Sequence, residues 1–298
     1  MSQTHPNSLA PFSVACLGIA TYSLLDVVMK GLSIELGVYN AMLWRTSAGL
    51  FIAAVLFIWK RPAWPPLSVI RVHVWRGMVT SVMSFLFFWG LVYVPVAEAI
   101  GLSFIAPLIA LYLAAVLLKE KISAKAVLAS VFGLLGAVVI VFGKLGVGYD
   151  DNVGLGIGAI LLSALIYAYN LILQRQQALI AGPVEIAFFQ NATVVTLYAL
   201  FAPCWAVVPD MEVLPELLVA AVLGITSLML LSWAYARAQA RILIPVEYTA
   251  FLWAAWMGWL AFDEEVTGWT LAGTCLIVAG CLVAARTSSE HVAHVTEP

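Results

Sequence analysis

The chain has 298 residues, of which 63% are hydrophobic and 10% are charged, and its net charge is −2. Soluble domains average about 25% charged residues, so this composition is unsuited to a surface facing water, and it provides no basic surface for nucleic acid. The pattern favours an integral membrane protein without cofactor or metal. The cysteines lack the spacing of a zinc site or a disulfide framework, and we expect them to pack as small apolar residues (Cys16, Cys204, Cys275 and Cys281).

Ten apolar runs follow one another along the chain, separated by short breaks rich in Gly, Pro and charged residues. A helix needs about 20 apolar residues to span a bilayer, whereas membrane-barrel strands alternate with a period of two, so these runs predict helices. Polar tails are predicted at 1–11 and 287–298, the second of them disordered. The predicted helices, numbered 1 to 10, cover residues 12–30, 38–59, 77–93, 97–118, 124–142, 154–173, 183–205, 214–236, 244–262 and 267–285.

Two connections between the predicted helices stand out by composition. The segment from Ala63 to Arg76 combines prolines with basic residues and is predicted to be the longest internal loop. Residues 144–153 combine glycines with Asp150 and Asp151, and are predicted to link the two halves of the chain.

The two halves of the chain repeat one another. A shift of 144 positions, or of 145 in the first helix, superimposes identical or similar residues, which is the mark of an internal repeat. We therefore predict a first repeat at 12–143 and a second repeat at 154–286. The superimposed pairs include Tyr22 with Tyr167, Lys30 with Arg175, Trp89 with Trp233, Glu120 with Glu264, and Gly136 with Gly280.

Each predicted repeat contains five helices, and this odd number makes the second copy start from the opposite side of the membrane. Transporters with such inverted repeats place the substrate site near the midplane, between the copies. Lys and Arg concentrate in short cytoplasmic loops, and here only Lys30 and Lys144 fall on the side away from the termini, with Arg45 inside helix 2. Both termini are therefore predicted to be cytoplasmic. Their side carries Lys60, Arg61, Arg71, Arg76, Lys119, Lys121, Lys125, Arg175, Arg237, Arg241 and Arg286.

The region from helix 4 to helix 5, and its second copy, resemble a known family. Each copy joins an apolar helix, an acidic break at Glu120 or Glu264, and a helix of small residues containing Gly136 or Gly280. This pattern resembles the EamA domain pair of the drug/metabolite transporter superfamily over about residues 12–286. The resemblance implies an all-α membrane protein of ten helices, both termini inside, and export of small metabolites.

Within that superfamily, the chain looks most like the bacterial aromatic amino acid exporters, which are also linked to paraquat efflux. The second copy departs from the first, because Phe251 stands where Pro107 predicts a proline, and Glu265 replaces Lys121. The halves have therefore diverged, and the resemblance does not imply that they contribute equally to function.

Ionisable residues inside a membrane are costly, at about 2.5–3.5 kcal/mol each on the insertion scale, and they often mark a pathway. Asp26, near the predicted outer end of helix 1, and Arg45, two turns into helix 2, are predicted at similar depth, and we hypothesise that they pair. The pair could bridge two helices statically, or Arg45 could meet a substrate carboxylate. Lys30, one turn beyond Asp26, is a rival partner.

Glu98 and Glu247 each follow a proline closely, at the start of helices 4 and 9. A carboxylate at such a position stabilises the N-terminus of its helix. The alternative is an entrance carboxylate that attracts the ammonium group of an amino acid, and for Glu247, beside Tyr248, the sequence favours this second interpretation.

Neutral polar and aromatic residues on six of the helices complete a candidate substrate pathway. Such side chains also join helices to one another at about 0.6–2 kcal/mol each, and this structural role remains the alternative for each of them. As a group, they predict a polar, aromatic-lined space for an amino acid or a flat cation. The candidates are Tyr22, Ser81, Ser84, Tyr167, Asn170, Gln190, Asn191, Trp233, Tyr248 and Trp253.

Helices 5 and 10 carry almost no polar residues and are predicted to form a scaffold outside the pathway. Small residues recur in them at the spacing that lets helices approach closely. They are Ala129, Gly133 and Ala137 in helix 5, and Gly280 and Ala284 in helix 10.

Several activities are not supported by the sequence. No phosphate-binding loop is present, so ATP cannot drive this chain unaided, and no catalytic constellation falls at membrane depth. The histidines are predicted to lie in tails or cytoplasmic loops, which excludes a histidine proton relay within the membrane (His5, His73, His291 and His294).

The function expected from the sequence is therefore a secondary transporter of the bacterial inner membrane, not an enzyme. It would export amino acids, aromatic and other neutral ones, and related metabolites by alternating access. The alternatives are export of another metabolite or of a cationic drug and, from a different class, a non-catalytic membrane subunit or sensor. The expected partners are a small-molecule substrate and the lipid bilayer, with no nucleic acid, and a monomer is compatible with the pattern.

Overall fold

In the computed structural model, every regular element of the described residues is a helix, and these residues are 9–61, 63–106, 109–110, 113, 124–143, 152–237, 246 and 249–279. Ten helices carry the numbers of the predicted ones, and a one-turn helix, Ala202–Trp205, follows the seventh. Their bounds are α1 Leu9–Leu36, α2 Val38–Lys60, α3 Leu67–Tyr93, α4 Val96–Ser103, α5 Ala124–Phe142, α6 Asn152–Ile180, α7 Pro183–Ala199, α8 Leu214–Arg237, α9 Thr249–Phe262 and α10 Gly268–Ala279.

Five of the described helices (α1, α2, α3, α6 and α8) are each 23 to 29 residues long and apolar enough to cross a membrane. Tight breaks separate consecutive helices. Gly37 joins α1 to α2 with a φ of 75°, a left-handed conformation that favours glycine. Pro95 precedes the first residue of α4, where proline is tolerated because no intrahelical bond is lost.

Four helix ends differ from the sequence-based prediction. α1 continues six residues beyond 30, to Leu36, and α6 continues to Ile180 instead of ending at 173. α7 ends at Ala199, ahead of the predicted 205. The largest difference is at α3, which begins at Leu67, so the loop predicted from Ala63 to Arg76 is mostly helix. His73 and Arg76, in the N-terminal part of α3, form hydrogen bonds with residues of α6 and α7. The helix can therefore extend beyond the apolar run.

The contacts between the halves are antiparallel and follow the internal repeat. α3 packs along α6, and α1 packs along α8. In the repeat α1 corresponds to α6 and α3 to α8, so the two pairs are equivalent by the internal symmetry. Near one end of the first pair Gly90 faces Gly156, and in the middle Ser163 Oγ donates to the Met83 carbonyl at 2.8 Å. At the other end Arg76 meets Gln177. This arrangement confirms the prediction of two inverted five-helix repeats.

α5 and α10 also meet through small residues, although not all of the predicted ones. Gly133 and Ala137 are buried, but the closest approach joins Gly136 to Gly273. A Cβ atom at either glycine would lie 2.5 Å from the carbonyl oxygen of the other. The side chain of Ala129 and the residues Gly280 and Ala284 lie outside the described part of the chain.

The distribution of side chains is apolar outside and polar inside. Large apolar residues such as Phe51 and Trp59 are 72% and 73% exposed on the outer face of α2. Asp26, Arg76 and Gln190 are instead buried between the helices. Ionisable groups of membrane proteins face the interior of the bundle in this way, and the interior between the repeats is therefore the place for a site.

Candidate functional site

A cavity with two adjoining lobes lies between the repeats. The first, which we call the Asp26 lobe, has a volume of ≈ 730 Å³ including its open mouth, and the second, the arginine lobe, has ≈ 910 Å³ measured in the same way. The lobes belong to one cavity because they share six lining residues: Ile19, Tyr22, Met83, Ser84, Phe88 and Tyr167.

The Asp26 lobe is mostly apolar and aromatic, with a single carboxylate in its wall. Phe87, Phe88 and Phe104 line it together with the two tyrosines. Asp26 is 1% exposed, and its Oδ1 atom has no hydrogen-bond partner. Buried polar atoms are nearly always paired, so this oxygen is a candidate acceptor for a donor group of a ligand.

The arginine lobe carries Arg45, whose guanidinium is only weakly held by the protein. Nη2 reaches Met42 Sδ at 3.8 Å, and Nε has no hydrogen-bond partner. Gly224 makes room for this group, since a Cβ atom there would lie 2.8 Å from Nη1. Gln190 lines the same lobe with both amide atoms unpartnered. The lobe thus contains unpaired donors on Arg45 and Gln190, and an unpaired acceptor on Gln190, that are suited to a polar ligand.

Arg76 is the second guanidinium of the arginine lobe, and neutral amides hold it. Its Nε donates to Asn170 Oδ1 at 3.2 Å, Nη2 donates to Gln174 Oε1 at 3.3 Å, and Nη1 donates to Gln177 Oε1. The residue is 3% exposed. Amide oxygens satisfy donors without neutralising the charge, so the positive charge of Arg76 remains available to an anion.

Arg76 and His73 do not lie in a loop, and the prediction that they do is wrong. His73 is fully buried in α3, where its Nε2 lies 2.9 Å from Glu185 Oε1 and its ring stacks on Phe189 with centroids 4.8 Å apart. The exclusion of a histidine proton relay within the membrane assumed that every histidine lies in a tail or loop, and His73 removes that ground. Helical spacing could have revealed this face, because polar or small residues that are buried, or half-buried at 80, recur along α3 at 73, 76, 77, 80, 81 and 84.

Most predicted pathway residues come together in the cavity. Three of the other predicted residues lie elsewhere: Ser81 donates to the Gly77 carbonyl, Trp233 packs under the guanidinium of Arg237, and Trp253 packs beside Trp256. Glu247 and Tyr248 lie outside the described residues. The predicted residues that line the cavity are Tyr22, Asp26, Arg45, Ser84, Tyr167, Asn170, Gln190 and Asn191.

Glu98 occupies the first turn of α4, as the sequence predicts, but it does not line either lobe. It is buried, and Thr270 Oγ1 donates to its Oε1 at 3.2 Å. The structural alternative offered for this residue, at the helix N-terminus, fits its position in the fold.

The hypothesis that Asp26 pairs with Arg45 is wrong. The two face adjoining lobes of the same cavity and form no ion pair with each other. Lys30, the rival partner, turns instead to Glu264, whose Oε2 also accepts from the Val96 N–H at 2.7 Å. Since α1 continues to Leu36, Asp26 lies in the middle of the helix and not near its end.

Three known proteins resemble this chain over most of its length. The pseudopaline exporter CntI of Pseudomonas aeruginosa is 27% identical over 281 residues, which cover 92% of this chain and 95% of the exporter. A riboflavin transporter of Rhizobium johnstonii is 26% identical over 277 residues, covering 90% and 88%. An uncharacterized transporter of Helicobacter pylori is 27% identical over 218 residues, covering 70% and 72%.

The fold and the family are both recognised. A crystal structure that is 20% identical superimposes with a TM-score of 0.62, over 95% of this chain and 97% of the other, which shows the shared fold. The profile of the EamA-like transporter family matches twice, at residues 10–142 and 154–286. The chain therefore belongs to the EamA-like transporter family and is a multi-pass membrane protein built from two copies of the family's repeat.

Proposed function

We propose that this chain is a secondary transporter that exports amino acids, aromatic and other neutral ones, and related small metabolites across a bacterial inner membrane by alternating access. Transport of a small molecule follows from the family. The observation that carries the finer proposal is that Arg45, Arg76 and Asp26 line one cavity between inverted repeats.

A neutral amino acid matches the charges and shape of this cavity. Its carboxylate can accept hydrogen bonds from Arg45 and Arg76, because guanidinium groups present paired donors to carboxylates. Its ammonium group can donate to the unpartnered oxygen of Asp26. An aromatic side chain fits among the rings of the Asp26 lobe, where offset or edge-to-face contacts between rings are favourable.

The relatives support the class and direction of the proposal. One is named an exporter and two are named transporters. At 26–27% identity their cargoes are not carried over to this chain. The substrate proposed here rests on the charges of the cavity.

Three further elements of the proposal concern organisation. Repeats at 12–143 and 154–286 are supported by the two family matches, whose limits lie close to these residues. A monomer as the transporting unit is supported by the lining of both lobes, which a single chain supplies. Cytoplasmic termini are supported by the distribution of Lys and Arg.

A second candidate function, export of a cationic drug or metabolite, is favoured by the Asp26 lobe taken alone. Its aromatic wall and single carboxylate suit a flat cation, because cations are attracted to the faces of aromatic rings. The two guanidinium groups of the adjoining lobe oppose it, since they repel a cationic ligand. A membrane sensor or subunit, from a different class, would move no substrate at all.

Counterflow in liposomes separates these functions. Purified protein is reconstituted with unlabelled L-phenylalanine inside, and uptake is measured for labelled L-phenylalanine, phenethylamine, which lacks the carboxylate, and 3-phenylpropionate, which lacks the ammonium group. Protein-free liposomes are the control. The proposal expects phenylalanine to exchange fastest. Preference for phenethylamine would support the cation exporter, and no flux of any of the three compounds would support the sensor.

A further inference from the structure

A buried chain of hydrogen bonds leads out of the arginine lobe. From Arg76 it passes to Gln177 Oε1, and Gln177 Nε2 lies 2.6 Å from His73 Nδ1. The other ring nitrogen, Nε2, lies 2.9 Å from Glu185 Oε1. One amide therefore connects a residue of the cavity with a titratable pair formed between α3 and α7.

The direction of each hydrogen bond in this chain is fixed by Arg76. A guanidinium can only donate, so Gln177 must turn its oxygen to Arg76 and its NH₂ group to the imidazole. His73 Nδ1 must then accept, and the proton of the neutral ring lies on Nε2, where it is donated to the Glu185 carboxylate. The hydrogen-bond pattern thus assigns one tautomer to His73, with an acceptor nitrogen facing the amide.

We infer that the His73–Glu185 pair is a proton-binding site that controls the substrate cavity through the amide of Gln177. A proton bound at His73 Nδ1 turns this atom into a donor, and Gln177 must rotate its oxygen toward the ring. Its NH₂ group then faces the guanidinium of Arg76, and two donor groups cannot form a hydrogen bond with each other. Arg76 leaves the amide and turns its guanidinium to the cavity, where it binds a carboxylate.

Glu185 is the group that makes protonation of His73 feasible. Burial of the ring opposes a charge on it, and Glu185, on α7, offsets this cost because its carboxylate faces Nε2. The Glu185 side chain is 14% exposed, whereas His73 is fully buried. The other charged group nearby is Arg76, on the same helix, and its departure removes a repulsion from the protonated ring. From α6 the neutral amide of Gln177 faces the ring, while Arg175 on that helix donates to the Tyr235 carbonyl on α8.

The inference rests on the proposed transport function and adds its regulation. Proton binding and carboxylate binding favour each other. Protonation of His73 releases Arg76 from Gln177, and a carboxylate that binds Arg76 leaves Gln177 free to turn its oxygen to the protonated ring. Such coupling is reciprocal. Affinity for a carboxylated substrate is therefore expected to rise as pH falls. With the proposed orientation the pair lies toward the cytoplasm, so cytoplasmic acid would activate export.

The proton site is tested by ¹⁵N NMR of the histidines in the full-length protein in detergent, with a His73→Asn variant to assign the signal. We expect His73 to gain a proton at Nδ1 between about pH 8 and about pH 5. In Gln177→Glu, the carboxylate accepts from both neighbours, so His73 should stay doubly protonated across this range. Glu185→Gln should instead keep the ring neutral to lower pH.

Gln174→Glu is the matched control. It adds the same charge beside Arg76 and on the same helix, but Gln174 makes no hydrogen bond to His73. The inference is overturned if His73 keeps one protonation state in the native protein, or if the two glutamate variants change its protonation equally. Size-exclusion profiles establish that each variant is folded.

The link to transport is tested by phenylalanine counterflow over the same pH range. Native protein should show a KM several-fold lower at about pH 5.5 than at about pH 8, and Gln177→Glu should lose this dependence, while Arg71→Gln, on the exposed side of α3, keeps it. Flux without pH dependence would overturn the inference and leave the proposed function standing. Absence of flux for the whole panel would overturn the proposed function, and the NMR result would still decide the proton site.

Discussion

Two buried cations of this protein are treated in opposite ways by their neighbours. The Lys30 ammonium meets the Glu264 carboxylate and the Val94 carbonyl, the latter at 2.9 Å, so its charge is neutralised within the fold. Arg76 is held by amide oxygens, which leave its charge uncompensated. A buried charge without a counterion is costly, and a substrate carboxylate would supply the missing negative charge.

Replacing either cavity arginine should therefore affect carboxylates selectively. In Arg45→Gln or Arg76→Gln we expect the KM for phenylalanine to rise about 10- to 100-fold, the loss of a hydrogen bond to a charged group being about 1.5–3 kcal/mol. Counterflow kinetics measure this. Arg71→Gln, on the exposed side of α3, is the control and should behave as the native protein. An equal loss for phenethylamine would contradict carboxylate recognition.

Asp26→Asn should produce the complementary change. The asparagine keeps the size of the side chain but removes the negative charge that faces the ammonium group. We expect the KM for phenylalanine to rise by about 10-fold, while inhibition by 3-phenylpropionate, which has no ammonium group, is kept or strengthened. Unchanged phenylalanine transport would show that Asp26 does not recognise the substrate, and would also exclude a role for its charge in gating.

At the scale of helices, the sequence predicted the number of elements and most of their centres, because a run of about 20 apolar residues has few alternatives in a membrane. It failed at α3 for a physical reason. His73 and Arg76 interrupt the apolar run, and their cost is offset by side chains of α6 and α7, among them Gln177 and Glu185, which lie more than 100 positions away along the chain. Such partners are known only after the helices are packed.

The contact between α5 and α10 predicts a stability effect without a selectivity effect. In Gly136→Ala or Gly273→Ala the new Cβ atom would lie 2.5 Å from a carbonyl oxygen, which forces the helices apart. Overpacking of this kind costs about 1–3 kcal/mol and should lower the thermal unfolding temperature in detergent. Gly158→Ala, with no atom within 4 Å of the new carbon, is the control. A changed substrate preference would place these helices in the pathway after all.

The Lys30–Glu264 pair joins α1 to the connection between α9 and α10. Lys30→Met should destabilise the fold by about 3–5 kcal/mol, because it leaves a buried carboxylate without its counterion. The double variant Lys30→Met, Glu264→Gln should recover most of this loss, since the amide can still accept from the Val96 N–H. Thermal unfolding of the two variants measures the difference, and equal destabilisation would show that the charge of Glu264 is not the cause.

For the whole molecule, the internal repeat predicted the topology, but it did not predict the rotation of each helix about its axis. Asp26 and Arg45 were placed at one depth from their positions along α1 and α2, and both do line the cavity. Their predicted contact fails because each faces a different lobe. Depth follows from counting residues along a helix, whereas facing depends on packing against neighbouring helices.

The structure also sharpens the charge argument for the orientation of the molecule. Lys30 and Arg76 are buried between helices and no longer count as loop charges. Removing Arg76 from the eleven basic residues of the proposed cytoplasmic side leaves ten, and removing Lys30 from the two opposite leaves Lys144 alone. A bias of this size favours the proposed orientation, with the short basic loops in the cytoplasm.

Reporter fusions test this orientation and the inverted repeat together. Green fluorescent protein fused at either terminus of the full chain should fluoresce, because both ends are expected in the cytoplasm, and alkaline phosphatase fused after Pro298 should be inactive. A fusion of alkaline phosphatase after Gly143 follows five helices and should be active, since an odd number of crossings ends on the opposite side. Equal phosphatase activity at these two positions would place Gly143 and Pro298 on one side of the membrane. This requires an even number of crossings between them, and the ten helices could then not form two inverted repeats of five.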